Sequence, residues 1–221
     1  MRVYPIPTKK KKFNLNFSLT IWLIITNVLV FFVLTPLISK NILPLGSVAI
    51  NPFNILHGQG IWTVISSMFM HGGLFHLFVN MFSLFFVGSL IEKLLGKKRY
   101  FWFYLIAGIF SGLLFVLSAF VFPNEMNSFA VGASGALFGL IGLLIILTPN
   151  LRVYMMFIPI PIKMKYAAPG LLIVLWLISI AGDVPIGNFA HLGGLIIGLV
   201  YGFYLKRRYP KKTKYISRQF N

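Results

Sequence analysis

The chain has 221 residues, of which 58% are hydrophobic, 16% aromatic and 10% charged; its net charge is +17 and it has no cysteine. So low a charged fraction excludes an ordinary water-soluble domain, in which about a quarter of residues are charged. The lack of cysteine excludes disulfides, thiolate metal sites and a cysteine nucleophile. Apolar runs of the ~20 residues needed to cross a ~30 Å hydrocarbon core recur along the chain, so the sequence predicts one all-α, polytopic membrane bundle.

Residues 1–17 form a polar, basic segment carrying Arg2 and the lysines at 9–12. No small-residue cleavage site follows the next apolar stretch, so a retained first helix is expected rather than a signal peptide. That helix is predicted over 18–37. Residues 38–73 are too many for a simple turn and mix Pro44, Gly46, Pro52, Gly58 and Gly60 with apolar pieces, which reads as a folded interfacial loop. Within it, 61–70 is apolar enough to lie flat before Gly72-Gly73. Further spans are predicted over 74–95, 100–122, 134–148, 168–181 and 188–205. The connection 149–166, which contains Pro159 and Pro161, is expected to have poor helix continuity. The membrane domain is thus 18–205, followed by a basic tail over 206–221.

Six crossings place both termini on one side. That side then receives every lysine and arginine except Lys40, which makes it cytoplasmic by the positive-inside rule. This sidedness puts the chain in a cell membrane with both termini inside. It also explains the net charge through anionic lipid, so nucleic acid is not an expected partner.

The informative segment is Val131-Gly132-Ala133-Ser134-Gly135-Ala136-Leu137-Phe138-Gly139, ahead of a short apolar helix. A serine at a helix start is ordinarily an N-cap, and a lone histidine in a membrane helix is ordinarily a structural hydrogen-bonder, so the case rests on convergence. Ser134 lies 15 residues before Pro149 and His191 lies 15 before Lys206, which sets them at similar depth. His76 and Asn80, 17 and 13 residues before Lys93, bracket that level and share one helix face. Polar groups in lipid are costly, and together these four fit an acyl-transfer site. Ser134 is the nucleophile and His191 the general base and then acid, while the side chains of His76 and Asn80 and the Ser134 backbone N–H face the oxyanion. Gly194, Gly198 and Gly202 recur every fourth residue, as do Gly135 and Gly139. Such small-residue stripes let helices approach closely, whether for generic packing or to bring Ser134 to His191.

Three segments in this order resemble the rhomboid family of intramembrane serine proteases, over about residues 62–202. They are His71-Gly72-Gly73-Leu74-Phe75-His76-Leu77-Phe78-Val79-Asn80, the run from Gly132 to Gly139, and Ala190-His191-Leu192-Gly193-Gly194-Leu195-Ile196-Ile197-Gly198. The resemblance implies a six-transmembrane-helix rhomboid-like bundle, a Ser–His dyad opening to the outer side, single-pass transmembrane proteins as substrates, and no metal or cofactor. It matches Ser134 to the nucleophile, His191 to the base, His76 and Asn80 to the oxyanion side, and Gly132 to the glycine two before the serine. Glu92-Lys93 resembles the acidic-basic end of the family's second helix, where capping is the expected role.

Two other functions compete. A non-cleaving rhomboid-like binding factor would be expected to lack the serine or the histidine. A transporter using His57, His71, His76 and His191 would be expected to have carboxylates within the membrane, whereas Glu92, Glu125 and Asp183 are the only acids and fall at helix ends or in loops.

Overall fold

Helix α1 (Leu19–Ser39) starts at Ser18, whose hydroxyl accepts the Ile21 N–H at 3.2 Å. Its remaining first-turn donors are met from another part of the chain: Leu19 and Thr20 N–H donate to Glu92 Oε1 and Oε2 at 2.8 and 2.9 Å, and the Thr20 hydroxyl donates to Oε2 at 2.7 Å. A carboxylate at a helix N-terminus satisfies orphan N–H groups and complements the helix dipole, so Glu92 caps α1 and not its own helix. The computed structural model describes residues 18–154, 160–182 and 186–220. The basic segment 1–17 and Asp183 lie outside the described residues.

The segment after α1 is folded, with a 3-10 turn at Leu45–Ser47 and the short helices α2 (Pro52–Leu56) and α3 (Thr63–Ser66). It is stitched to the loop that leads to Ser134. Ile50 and Ala130 exchange backbone hydrogen bonds at 3.1 and 2.9 Å, and Gly132 N–H donates to the Ser67 carbonyl at 2.8 Å. Helices α4 (Leu74–Ser83) and α5 (Ser89–Leu95) are joined by a π-turn at Leu84–Gly88, giving one continuous helix Leu74–Leu95 with the predicted bounds. Gly96 reverses the chain at φ +81°, a conformation that favours glycine, and α6 (Lys97–Ser118) follows at once.

Helix α7 (Ser134–Leu147) is apolar all round and buried on most of its surface, as a central helix must be. It packs against α6, α8 (Met164–Gly182) and, most extensively, α9 (Asn188–Arg208). Between α7 and α8, strands β1 (Arg152–Tyr154) and β2 (Pro161–Lys163) form an antiparallel hairpin in which Arg152 faces Lys163. Helix α10 (Pro210–Arg218) ends the described fold and buries Thr213.

Apart from that hairpin, the chain is an all-α, mostly membrane-spanning bundle. Among the described residues five helices (Leu19–Ser39, Leu74–Leu95, Lys97–Ser118, Met164–Gly182 and Asn188–Arg208) have the length and composition to cross a membrane. With 14 residues, α7 is only ~20 Å long, the short apolar helix expected after Ser134. The third helix starts at Lys97, not at residue 100, and ends at Ser118, not 122. Lysine and arginine are good helix formers whose stems can lie along a bundle end, so a boundary drawn after the last charge falls too late. The fifth begins at Met164 and runs through Pro169, and the last continues to Arg208, where three cations complement the C-terminal end of its dipole. The basic tail is helical over Pro210–Arg218.

Candidate active site

Ser134 is the first residue of α7, after an N-cap at Ala133 that makes no side-chain cap bond. Its hydroxyl is therefore not used as the ordinary cap. Instead Ser134 Oγ lies 2.8 Å from His191 Nε2, in the first turn of α9.

Glycine makes that distance possible. A Cβ on Gly194 would collide with the carbonyl oxygen of Gly135, one on Gly198 with the carbonyl oxygen of Gly139, and one on Gly142 would lie 2.5 Å from the Leu195 carbonyl oxygen. Backbone packs directly on backbone along the α7–α9 seam, which is how small residues allow close helix approach. The stripes at Gly135 and Gly139 and at Gly194 and Gly198 face each other.

His191 is buried, and its Nδ1 has no hydrogen-bond partner among the described residues. Among the described residues no carboxylate orients the ring. Phe138 does so by packing, stacked on the imidazole with ring centroids 4.6 Å apart and an interplanar angle of 22°. The backbone next to the histidine is also held: the Ser111 hydroxyl of α6 donates to the Ala190 carbonyl. Sequence reasoning missed both residues. Phe138 had a usable signal, since it stands one helical turn after Ser134 on the same face, and Ser111 is a polar residue in the apolar middle of α6.

His76 reaches the site from α4. Gly72 N–H donates to His76 Nδ1 at 3.4 Å; in the neutral ring this leaves the proton on Nε2. A Cβ built on Gly132 would lie 2.8 Å from His76 Nε2 and 3.7 Å from Ser134 Oγ, and Gly132 has φ +125°. Only glycine fits there, on both grounds, and the protonated edge of His76 faces the same small space as the serine. Asn80 is one turn along and buried; one of its side-chain N–H groups donates to the His76 carbonyl at 2.8 Å, and its Oδ1 has no partner among the described residues. It lies beside His76 without a direct bond to Ser134.

Of the other two histidines, His71 is 1% exposed, accepts the Ala133 N–H at 3.5 Å and sits edge-on to His76 with centroids 5.1 Å apart. It props the residue before the serine. Its pKa is pushed down to about 4, by burial first and then by the charge of His76. His57 is exposed at the end of α2, with Nδ1 2.8 Å from the Phe53 carbonyl. Among the described residues no three His, Asp or Glu side chains converge on one point.

A hydroxyl bonded to an imidazole, at the N-terminus of a short helix inside an apolar bundle, has the constitution of an acyl-transfer centre. The imidazole can take the proton, and first-turn N–H groups without intrahelical partners can face an oxyanion. Fold and site together define an integral membrane protein of the serine–histidine type.

Residues 58–208 match the model of the rhomboid domain, and the chain belongs to the rhomboid family. It is 34% identical over 172 residues to RHOMBOID-like protein 1 of Arabidopsis thaliana, covering 76% of this chain and 41% of the relative. It is 38% identical over 156 residues to the mitochondrial RHOMBOID-like protein 6 of the same plant, covering 68% and 46%. To that plant's Inactive RHOMBOID-like protein 8 it is 36% identical over 139 residues, covering 62% and 36%. The chain spans less than half the length of each of these relatives.

Proposed function

We propose that the protein is a serine-type intramembrane endopeptidase that cleaves transmembrane segments of single-pass proteins. The observation that carries this reading is the 2.8 Å contact between Ser134 Oγ and His191 Nε2. His191 takes the hydroxyl proton as Oγ attacks the scissile carbonyl. Negative charge on the tetrahedral oxygen is met by His76 Nε2–H, by the Asn80 side chain and by the Ser134 backbone N–H. The imidazolium then gives its proton to the leaving amine, and water, deprotonated by the same ring, hydrolyses the acyl-serine. Gly132, Gly135, Gly194 and Gly198 support the site by keeping the backbones close.

In this reading α7 is the fourth of six crossings, and its shortness sets Ser134 below the outer surface. The basic segment 1–17 and the tail 206–221 flank the membrane domain 18–205 on the cytoplasmic side. The site opens outward, and a substrate helix approaches beside α4 and α8, unwinding near its outer end so that a peptide bond is exposed. Family likeness alone does not separate cutting from non-cutting members, because one relative is named inactive; the intact Ser134–His191 contact favours cutting.

The test is incubation of the purified protein with a model single-pass substrate beside Ser134→Ala and His191→Ala. Cleavage is expected only with the unmodified protein, and cleavage by the purified serine variant would overturn the reading. Sidedness is tested separately. Ser134→Cys in sealed vesicles of known orientation is expected to react with a small polar thiol reagent added outside, and Lys211→Cys with one added inside; the opposite pattern would overturn the topology.

A further inference from the structure

A second feature lies at the basic end of the bundle, away from Ser134. Helices α6 and α9 leave between them a groove of about 470 Å³ lined by Lys98, Arg99, Trp102, Phe103, Ile106, Ile197 and Tyr201. Its chemistry is graded along the helix axes. Lys98 and Arg99 stand at its mouth, Trp102 and Tyr201 one turn deeper, and Ile106 and Ile197 deeper again, ~12 Å from the lysine. Phe103 stacks on Tyr201 with centroids 4.6 Å apart, forming the floor. Trp102 and Ile106 are 55% and 51% exposed, so in a bilayer this wall meets lipid.

Among the described residues the charge at the mouth has no acidic counterpart. Arg99 and Arg208 both lie over the Tyr209 ring, 5.7 and 5.9 Å from its centroid, which adds a third cation to Lys98 and Arg99. Glu92 is committed to capping α1 and Glu125 lies beyond the far end of α6. Among the described residues no other carboxylate exists.

From these observations we infer that the α6–α9 groove is a binding site for an anionic glycerophospholipid of the leaflet at the basic end. The phosphate meets Lys98, Arg99 and Arg208, the glycerol backbone lies at the level of Trp102, and one acyl chain runs along Ile106 and Ile197. A free phosphate would satisfy the mouth and leave the graded apolar wall without an occupant. A zwitterionic lipid would satisfy the wall but bring no net charge to three cations. Each interfacial cation favours anionic lipid by a factor of about five.

The experiment reads Trp102 directly, in the full chain with Trp22, Trp62 and Trp176 replaced by phenylalanine and with helicity checked by circular dichroism. In neutral detergent micelles, brominated phosphatidylglycerol is expected to quench Trp102 at a mole fraction about fivefold or more below that needed for brominated phosphatidylcholine. Lys98→Gln with Arg99→Gln should abolish this preference, whereas Lys211→Gln with Lys214→Gln, which removes the same charge elsewhere, should retain it. The unmodified chain provides a second measurement: phosphatidylglycerol should raise its unfolding temperature more than phosphatidylcholine does, and Lys98→Gln with Arg99→Gln should erase the difference. Glycerol 3-phosphate should not displace the quencher. Equal quenching by the two lipids, a preference that survives loss of Lys98 and Arg99, or displacement by glycerol 3-phosphate would each overturn the assignment.

Discussion

Phe138 lies flat on His191, 4.6 Å between ring centroids and 22° from parallel, on the same helix as Ser134 and one turn after it. The serine and the ring that fixes its histidine therefore move as one body. Aromatic stacking contributes about 0.5–1.5 kcal/mol beyond the area it buries. Phe138→Leu, which roughly keeps the volume and removes the stack, is expected to lower kcat by up to about tenfold with little change in KM. Phe138→Tyr, which keeps the ring, should stay near the unmodified rate. Turnover of a model substrate checks this, and equal kcat for the leucine variant and the parent would show that the stack does not orient the base.

His76 and Asn80 are not equivalent in geometry. The protonated edge of His76 faces the space beside Ser134, while Asn80 uses one donor on the His76 carbonyl. His76→Ala is expected to reduce kcat by about 10², the size typical of losing one oxyanion donor, and Asn80→Ala by less. The measurement is kcat under single-turnover conditions, where chemistry is observed. A larger loss for Asn80→Ala would reverse the assignment of the principal donor.

Gly198 packs against the Gly139 carbonyl, with the Gly142 Cα 2.9 Å from where a Cβ would stand. Gly198→Leu is expected to separate α7 from α9, lowering the unfolding temperature and abolishing cleavage together, while Leu199→Val costs about 1 kcal/mol or less. Both quantities should be read on the same preparations. A Gly198→Leu protein with parental stability and activity would show that the seam is not close-packed there.

His71 provides a pH dependence outside the membrane-spanning helices. Its pKa is about 4 in the folded chain against an ordinary 6.5, so between these values the unfolded chain binds a proton that the folded one does not. Stability from this group is complete above pH 6.5 and falls as the pH drops toward 4, by about 3 kcal/mol over the window. His71→Gln keeps an acceptor for Ala133 N–H and removes the titration, so its unfolding temperature should fall less between pH 7 and 4.5. Identical falls in the two proteins would exclude His71 as the titrating group.

Much of this was readable in the sequence because the membrane imposes a ruler. With a fixed rise per residue counted from the basic helix ends, the common level of Ser134 and His191 follows by counting. The continuous helix Leu74–Leu95 was readable for the same reason, while its π-turn was not, because a shifted hydrogen-bond register leaves an apolar pattern unchanged. The hairpin at Arg152–Tyr154 and Pro161–Lys163 has strands of three residues, too short for alternation to show. Phe138 was hidden in a chain with 23 phenylalanines, where an aromatic residue in an apolar helix reads as core. The Glu92 cap on α1 joins residues more than 70 positions apart, and no local pattern reports such a contact.

The glycine seam between α7 and α9 has a mechanical consequence. Where backbone rests on backbone there are no rotamers to exchange, so the joint behaves as a weld and not as a bearing. Helix α8 is attached differently, with a smaller share of its residues buried than α9 has, and it can lean without disturbing the weld. If a substrate enters beside α8 as proposed, bilayers that thin, thicken or bend will be felt first along that path, while the spacing of Ser134 and His191 stays constant. The rate at which a substrate is admitted should vary from one membrane to another far more than the rate at which an admitted substrate reacts.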